Sequence, residues 1–290
     1  MERYAKKADD TQTPTMLMLN GDDEIMKHWQ HGTGALVIDR KEISSKLHES
    51  PWPNDLPVAF RSMTKRKEIW KCWDTGRPFY YIDNGYMGNL MKKKHFYRVV
   101  KNNIQHTKIR PDMPNDRFLS LCQFAPYMNY YGRKALQGGP ILLVTPSEKP
   151  CQFYNLDKDT WLKETIAELK KHTDRPIVIR EKGLRPDRIK ENTVAAQCAR
   201  DRIYAVVTYQ SMAALEAMHY GIPAFVMAPC CVTPLANTEL SKIEDAFYPE
   251  KEQMMDLLHY LAYCQFTPEE MSTSKALKLI DRNGLYDEAI

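Results

Sequence analysis

The stretch Ala205–Pro229, AVVTYQSMAALEAMHYGIPAFVMAP, constrains the fold of this chain more than any other. The apolar run Ala205–Thr208 ends in a hydroxyl and reads as a buried strand. Ser211 then stands where a helix N-cap belongs, and Met212, Leu215, Glu216 and Tyr220 follow at helical spacing. Gly221 suits a left-handed C-cap, and Pro223 stops the helix. Pro223–Met227 is short and apolar, like a parallel strand buried on both faces. Strand, helix and strand in this order form a βαβ unit, which belongs to a parallel sheet. The amino end of such a helix lies at the carboxyl edge of the sheet, where backbone amides favour a phosphate. Glu216 falls about 7.5 Å along the axis of that helix, where a carboxylate can accept hydrogen bonds from a ribose.

The same alternation runs through the rest of the chain. In the first half, Met16–Leu19, Ala35–Asp39, Pro57–Phe60 and Pro78–Ile82 read as strands, and Lys65–Trp73 as a basic helix. Residues 87–135 have no clear period and predict loops and short strands, with a helix near Tyr127–Leu136. Gln137-Gly138-Gly139-Pro140 is the best boundary, giving domains 1–139 and 140–290. Beyond it, Ile141–Thr145 and Pro176–Arg180 read as strands and Pro146–Pro150 as a polar loop. Thr160–His172, Ile189–Ala199, Glu250–Cys264 and Pro268–Asp281 read as helices. The fold class is therefore α/β, with two Rossmann-like domains facing a cleft.

Cysteine usage and charge narrow the class. Seven cysteines with no CxxC argue against a disulfide framework or a zinc ribbon and for a reducing, cytoplasmic setting. The segment MERYAKKADDTQTP has no apolar core after its basic residues, so no secretory signal is expected, and no apolar run approaches the ~20 residues of a membrane span. Residues 1–139 hold 23 Lys+Arg against 15 Asp+Glu, a charge of +8. Arg61–Arg110 alone holds 13 basic and three acidic residues, or +10. A basic concentration of this kind marks a solvated face or an anionic partner. Within it, Lys65-Arg66-Lys67 precede Trp70 and Trp73, and Lys92-Lys93-Lys94 precede His95-Phe96-Tyr97-Arg98. Cations interleaved with aromatics suit a nucleic acid, with phosphates on the cations and bases against the rings. Asn102, Asn103 and Gln105 add groups able to read base edges.

The pattern Ser211-x4-Glu216-Ala217-x3-Gly221-x-Pro223 resembles the donor-nucleotide motif of GT-B glycosyltransferases. The resemblance implies two Rossmann-like domains, with the serine loop and helix N-terminus holding a diphosphate and the glutamate holding the ribose. It also implies that the C-terminal segment QFTPEEMSTSKALKLI crosses back onto the first half. Thr208, Gln210, Ser211, Met212 and Glu216 are then donor-binding candidates, with Ser147 after the first strand of that half and Arg180 and Lys182 at the end of another. A fixed Arg or Lys there would stabilise the departing nucleoside diphosphate. The family's longer motif carries a second glutamate eight residues earlier; here that position is Thr208, which tips the expectation toward inversion.

Inversion needs a general base facing the cleft from the first half. Asp83 is the first candidate, because it ends the strand FYYID before the turn Asn84-Gly85; Asp22, after Asn20-Gly21, is the second. His28, His31, His95 and His106 lie in the same half and read as structural or phosphate-contacting. Asp157-Lys158-Asp159 spells the D-x-D of metal-dependent GT-A enzymes but opens a helical run, where Asp159 reads as a cap. No metal and no cofactor is expected beyond a nucleotide-sugar co-substrate, with a uridine diphosphate sugar first in line. With its basic half, the chain resembles the bacteriophage enzymes that glycosylate hydroxymethylated bases in duplex DNA, with Lys65, Arg66, Lys67, Lys92, Lys93, Lys94 and Arg98 as DNA contacts. That reading predicts a monomer in the host cytoplasm, without membrane contact. The alternatives are a surface-polysaccharide glycosyltransferase, a GT-B sugar epimerase and a non-catalytic nucleic-acid-binding protein of degenerate GT-B fold.

Overall fold

A computed structural model describes residues 14–38, 55–88, 96–124, 132, 138–181 and 192–283. These residues form a mixed α/β structure with two sheets. The first begins with β1 (Leu17–Met18), β2 (Leu36–Val37), β3 (Val58–Arg61) and β4 (Phe79–Asn84), all parallel. Helix α1 (Glu24–Thr33) follows β1, and α2 (Arg66–Thr75) joins β3 to β4. Asp23 caps α1 by accepting the amides of Ile25 at 2.9 Å and Met26 at 3.3 Å. Strand β5 (Tyr97–Lys101) turns back antiparallel to β4, and α3 (Asp116–Phe124) follows.

The second sheet contains β6 (Ile141–Val144), β7 (Ile177–Arg180), β8 (Ala205–Thr208) and β9 (Ala224–Val226). They lie in the order β7-β6-β8-β9, every pair parallel. Every residue of β6, β8 and β9 is buried, which is why these strands read as unbroken apolar runs. Helices α4 (Glu148–Tyr154), α5 (Lys158–Leu169), α6 (Val194–Arg200) and α7 (Ala213–Tyr220) connect them. Gly221 ends α7 at φ 97°, where its amide meets the carbonyls of Ala217 and Met218.

Helix α8 (Lys251–Tyr263) leads to β10 (Gln265–Phe266), α9 (Pro268–Ser272) and α10 (Lys275–Asn283). Strand β10 adds to the first sheet, pairing Gln265 with Arg98 and Phe266 with Tyr97, so the sheet order is β10-β5-β4-β3-β1-β2. Met271, Ala276 and Ile280 then bury against Met26 and Trp29 of α1. The close approach needs Gly32, because a Cβ there would stand 1.8 Å from the Met271 carbonyl oxygen.

Several local expectations change. Pro146–Pro150 is not a loop throughout: α4 starts at Glu148, with Pro150 inside its first turn, where no intrahelical N–H is needed. The single helix expected over Pro268–Asp281 is two, separated by Thr273 and by Ser274 at φ 59°. The stretch 87–135, expected to hold loops and short strands, contains the short strand β5 but also helix α3, and the helix expected near Tyr127–Leu136 is not among the described residues apart from Gly132. Asp157, rather than Asp159, caps α5 by accepting the Thr160 amide at 2.7 Å.

Two apolar clusters join the sheets. Phe153 of α4, fully buried, packs with Phe60, Ile69 and Phe79 of the first half. Tyr86, Met87, Phe96, Phe118 and Leu121 pack with residues of α7 and α8.

Candidate active site

Ser62, just past the carboxyl end of β3, touches α4, the helix that follows β6, with Lys149 Nζ donating to Ser62 Oγ at 3.1 Å. Ser62 adopts φ 71° and ψ 153°, a backbone region that glycine favours, at the end of β3. The carboxyl ends of the parallel strands of the two sheets therefore meet, and the candidate residues fall on either side of that seam.

On the second sheet, β8 delivers Thr208, Gln210 and Ser211. Thr208 is fully buried, and its Oγ1 has no hydrogen-bond partner among the described residues. Gln210 Nε2 donates to Tyr154 Oη at 2.9 Å and to the Pro229 carbonyl. Ser211 is not the N-cap; Met212 holds that position, and Ser211 Oγ accepts the Ala213 amide at 3.2 Å. The Met212 thioether lies 4.0 Å from Cys231 Sγ. Ser147 is the N-cap residue of α4, and its side chain makes no capping bond.

Glu216 and Arg180 are more committed than expected. Glu216 accepts the Ala195 amide at 3.2 Å, at the start of α6. Burial pushes its carboxyl up, opposed by the Ala195 and Val194 amides, the Arg180 charge and the Thr193 hydroxyl. Arg180 donates to Gln197 Oε1 at 2.5 Å and to the Asn192 carbonyl. The structure thus brings Arg180 and Glu216 together around α6, and neither side chain stands free toward the seam. Lys182 lies outside the described residues.

On the first sheet, Asp83 is the centre of an ion-pair network rather than a free base. Its Oδ1 accepts from Arg61 Nη1 at 3.1 Å and from the Asn84 amide at 2.8 Å. Its Oδ2 accepts from Tyr81 Oη at 2.7 Å and lies 3.6 Å from Arg98 Nη2. Burial raises the carboxyl, but the Arg98 charge, the Tyr81 hydroxyl, the Arg61 charge and the Asn84 amide outweigh it and hold Asp83 below the ordinary carboxylate value. A carboxylate held ionised between two guanidiniums is a poor proton acceptor. Asp22 is exposed in the loop between β1 and α1, and no ion pair or hydrogen bond engages its carboxylate among the described residues. Its neighbour Asp23 reaches Arg61 Nε at 3.6 Å, and Asn20 Oδ1 accepts the Arg61 amide at 3.4 Å, so this loop borders the same seam.

Of the residues expected to contact a nucleic acid, two are buried, two are exposed and three lie outside the described residues. Arg98 is buried beneath the rings of Tyr81 and Tyr86 and bound to Asp83. Lys65 is buried as well, whereas Arg66 and Lys67 are exposed. Trp70 stacks on Phe153, and Trp73 meets the same ring edge-on while donating to the Asn102 carbonyl. The asparagine side chains hold backbone amides: Asn102 Oδ1 accepts from Phe79 N–H at the start of β4, and Asn103 Oδ1 from Ile104 N–H. Gln105 is buried. His106 is buried against Tyr86, and His28 meets Ser272 Oγ at 2.6 Å. His31 is exposed in the last turn of α1. Lys92, Lys93, Lys94 and His95 lie outside the described residues.

Sequence reasoning missed Lys149 and Tyr154, both on α4. The signal was present in Ser147-Glu148-Lys149-Pro150, a cap followed by an acidic first turn and an early proline. Among the described residues, no three His, Cys, Asp or Glu side chains gather as metal ligands would, and no helix is long and apolar enough to cross a membrane.

No family model matches the chain, and no curated protein matches it. Two solved structures are similar across most of it. One is Thermosulfurimonas dismutans KpsC, beta Kdo 2,4 transferase, at 14% identity and TM-score 0.48, covering 87% of this chain and 91% of that one. The other is Thermosulfurimonas dismutans KpsC, beta Kdo 2,7 transferase, at 9% identity and TM-score 0.49, covering 91% and 99%. At these values the functional reading rests on the residues of the site.

Proposed function

We propose that this chain is a glycosyltransferase that moves a sugar from a nucleotide donor to a saccharide hydroxyl. One observation carries the reading. The Ser211–Pro223 motif folds as loop, helix and turn on the carboxyl edge of an all-parallel sheet, and the carboxyl ends of the parallel strands of a second, mixed sheet face that edge. Helix N-termini and strand ends on such an edge suit a phosphate-bearing ligand. Thr208, Gln210 and Ser211 then border the donor, and Ser147 and Lys149 approach it from α4. Lys149 meets the charge that develops on the departing phosphate, a role Arg180 is less free to fill.

The acceptor reading is supported by the burial of two of the basic residues, Lys65 and Arg98. Trp70 and Trp73 pack on Phe153, with part of the Trp70 ring still exposed, so among the described residues the two tryptophans serve the core and form no row of free rings for bases. A surface-polysaccharide type of acceptor requires none. The loop 20–23 supplies the base: Asp22 takes the proton of the acceptor hydroxyl as its oxygen attacks the anomeric carbon, and the nucleotide leaves in a single inverting displacement.

Radiolabelled nucleotide sugars test this. The panel spans uridine, guanosine, thymidine and cytidine donors and includes activated Kdo, the sugar in the names of the similar structures. Each is offered with oligosaccharides and with duplex DNA carrying hydroxymethylated bases, in EDTA. Label should appear in saccharide. Label in DNA would restore the nucleic-acid acceptor, and a chain that neither binds nor consumes any donor would end the transferase reading.

A further inference from the structure

Between the two sheets, α4 is placed where neither side of the site alone would put it. Its Phe153 belongs to the core of the first sheet, fully buried against Trp70 and Trp73 of α2, with ring centroids 5.8 and 6.0 Å away. Trp70 Nε1 also donates to the Phe153 carbonyl at 3.4 Å. The next residue, Tyr154, faces the loop after β8. Its ring meets Tyr209 edge-on at 5.5 Å, and its hydroxyl accepts from Gln210 Nε2 at 2.9 Å.

Gln210 is buried, and its amide nitrogen also donates to the Pro229 carbonyl. A carbonyl can only accept, so the nitrogen must face this way, and both of its hydrogens are committed. The carboxamide plane is thereby set by one contact from α4 and one from the segment after β9. Its Oε1 meets no donor among the described residues and is the atom left to meet a ligand. Burial pushes the Tyr154 phenol up to about 12, so the hydroxyl keeps its own hydrogen across the physiological range while accepting from Gln210.

We propose that Tyr154 is a positioning residue for the Thr208–Ser211 loop, and that Phe153 beside it ties the setting of that loop to α2 of the other sheet. The two residues are adjacent on one short helix, so a rotation that seats Phe153 also carries the Tyr154 hydroxyl. An acceptor that presses on α2 therefore alters the orientation of Gln210 without touching it. The inference rests on the reading of this loop as the donor site.

The experiment has two arms on the full chain. In the first, nitrogen-15 glutamine labelling shows the side-chain amide signals in the free protein, with the Gln210 pair assigned by its loss in Gln210→Asn. Tyr154→Phe and Trp70→Leu should each move that pair, and Leu119→Ala, exposed on α3, should not. Trp70→Phe replaces Trp70→Leu if the latter does not fold. A Gln210 pair at its parental position in the folded Tyr154→Phe and Trp70 variants overturns the tie.

The second arm is calorimetry and steady-state kinetics with whichever nucleotide sugar the parent binds. Tyr154→Phe should weaken donor binding and raise donor KM roughly tenfold, the effect of about one lost hydrogen bond, with kcat at saturating donor near parental. Parental donor affinity in a variant whose Gln210 signal has moved also overturns the positioning role. A parent that binds no nucleotide removes the donor-site reading instead, and the first arm still decides whether α4 ties the loop to α2.

Discussion

At the scale of single residues, Asp83 and Asp22 separate a carboxylate held in a network from the one proposed as the base. Asp83 is held by Arg61, Arg98, Tyr81 and the Asn84 amide, whereas Asp22 is exposed. Asp83→Asn leaves two largely buried guanidiniums opposite a neutral group, and breaking such a pair costs about 3 kcal/mol. Urea denaturation should register that loss. The native pKa of Asp83 lies below its unfolded value, so its contribution is present above about pH 4 and fades as the pH falls. The parent and Asp83→Asn should therefore converge in acid. Asp22→Asn should leave stability within about 0.5 kcal/mol and lower turnover by roughly 10²–10⁴. Parental stability in Asp83→Asn, or parental turnover in Asp22→Asn, contradicts these assignments.

At the scale of elements, the C-terminal segment, besides pairing β10 with β5, is fastened to α3 and to α1 of the first half. Arg117 of α3 holds Glu270 of α9 through bonds of 2.6 and 2.9 Å and also donates to the carbonyls of Ala262 and Gln265. Burial opposes ionisation of Glu270, but Arg117, the Thr267 amide and Lys275 outweigh it and hold the carboxyl at about 2. The pair therefore stabilises the fold above the ordinary glutamate value and is lost as the pH falls toward 2. Arg117→Met should cost about 3 kcal/mol at neutral pH, with the gap to the parent narrowing between pH 4.5 and 2 to what the bonds to the Ala262 and Gln265 carbonyls contribute. The second fastening is the contact of α1 with α9 at Gly32. Alanine there gains about 1 kcal/mol of helix propensity, but its Cβ would strike the Met271 carbonyl and crowd the Ser274 amide, both backbone atoms. Overpacking at about 1–3 kcal/mol wins. Gly32→Ala should be less stable, with faster hydrogen exchange over residues 268–283; unchanged exchange there would show that α9 can shift freely.

At the scale of the whole molecule, the two sheets share apolar clusters instead of meeting only through polar loops. Phe153 leaves the second sheet's connections to complete the core of the first. Phe153→Ala should cost about 3–5 kcal/mol, the range for a fully buried aromatic, and Phe153→Leu clearly less. Urea denaturation of both variants measures this. A loss under about 1 kcal/mol for the alanine variant would mean that α4 repacks, and that the seam is held by the Tyr86–Met254 side alone.

The βαβ unit at Ala205–Pro229 was legible because its signals are local. Apolar runs, a cap-like serine, helical spacing and a Gly-x-Pro stop all act within a few residues. The same holds for β3, β4, β6 and β7, whose expected bounds fall within two residues of the observed ones. What the tertiary structure decided was the condition of the side chains. Arg98 counted as a basic residue near a lysine run until β5 folded antiparallel onto β4 and paired it with Asp83. Glu216 sat at a ribose-like distance along α7 until α6, from another part of the chain, brought its amides to it. Helix α4 is seven residues long, too short to announce itself by period, and its place between two cores depends on Trp70 and Gln210, more than fifty residues away on either side. Periodicity and caps are written within a turn or two of chain, whereas burial and ion pairing depend on partners that only folding brings within a few ångströms.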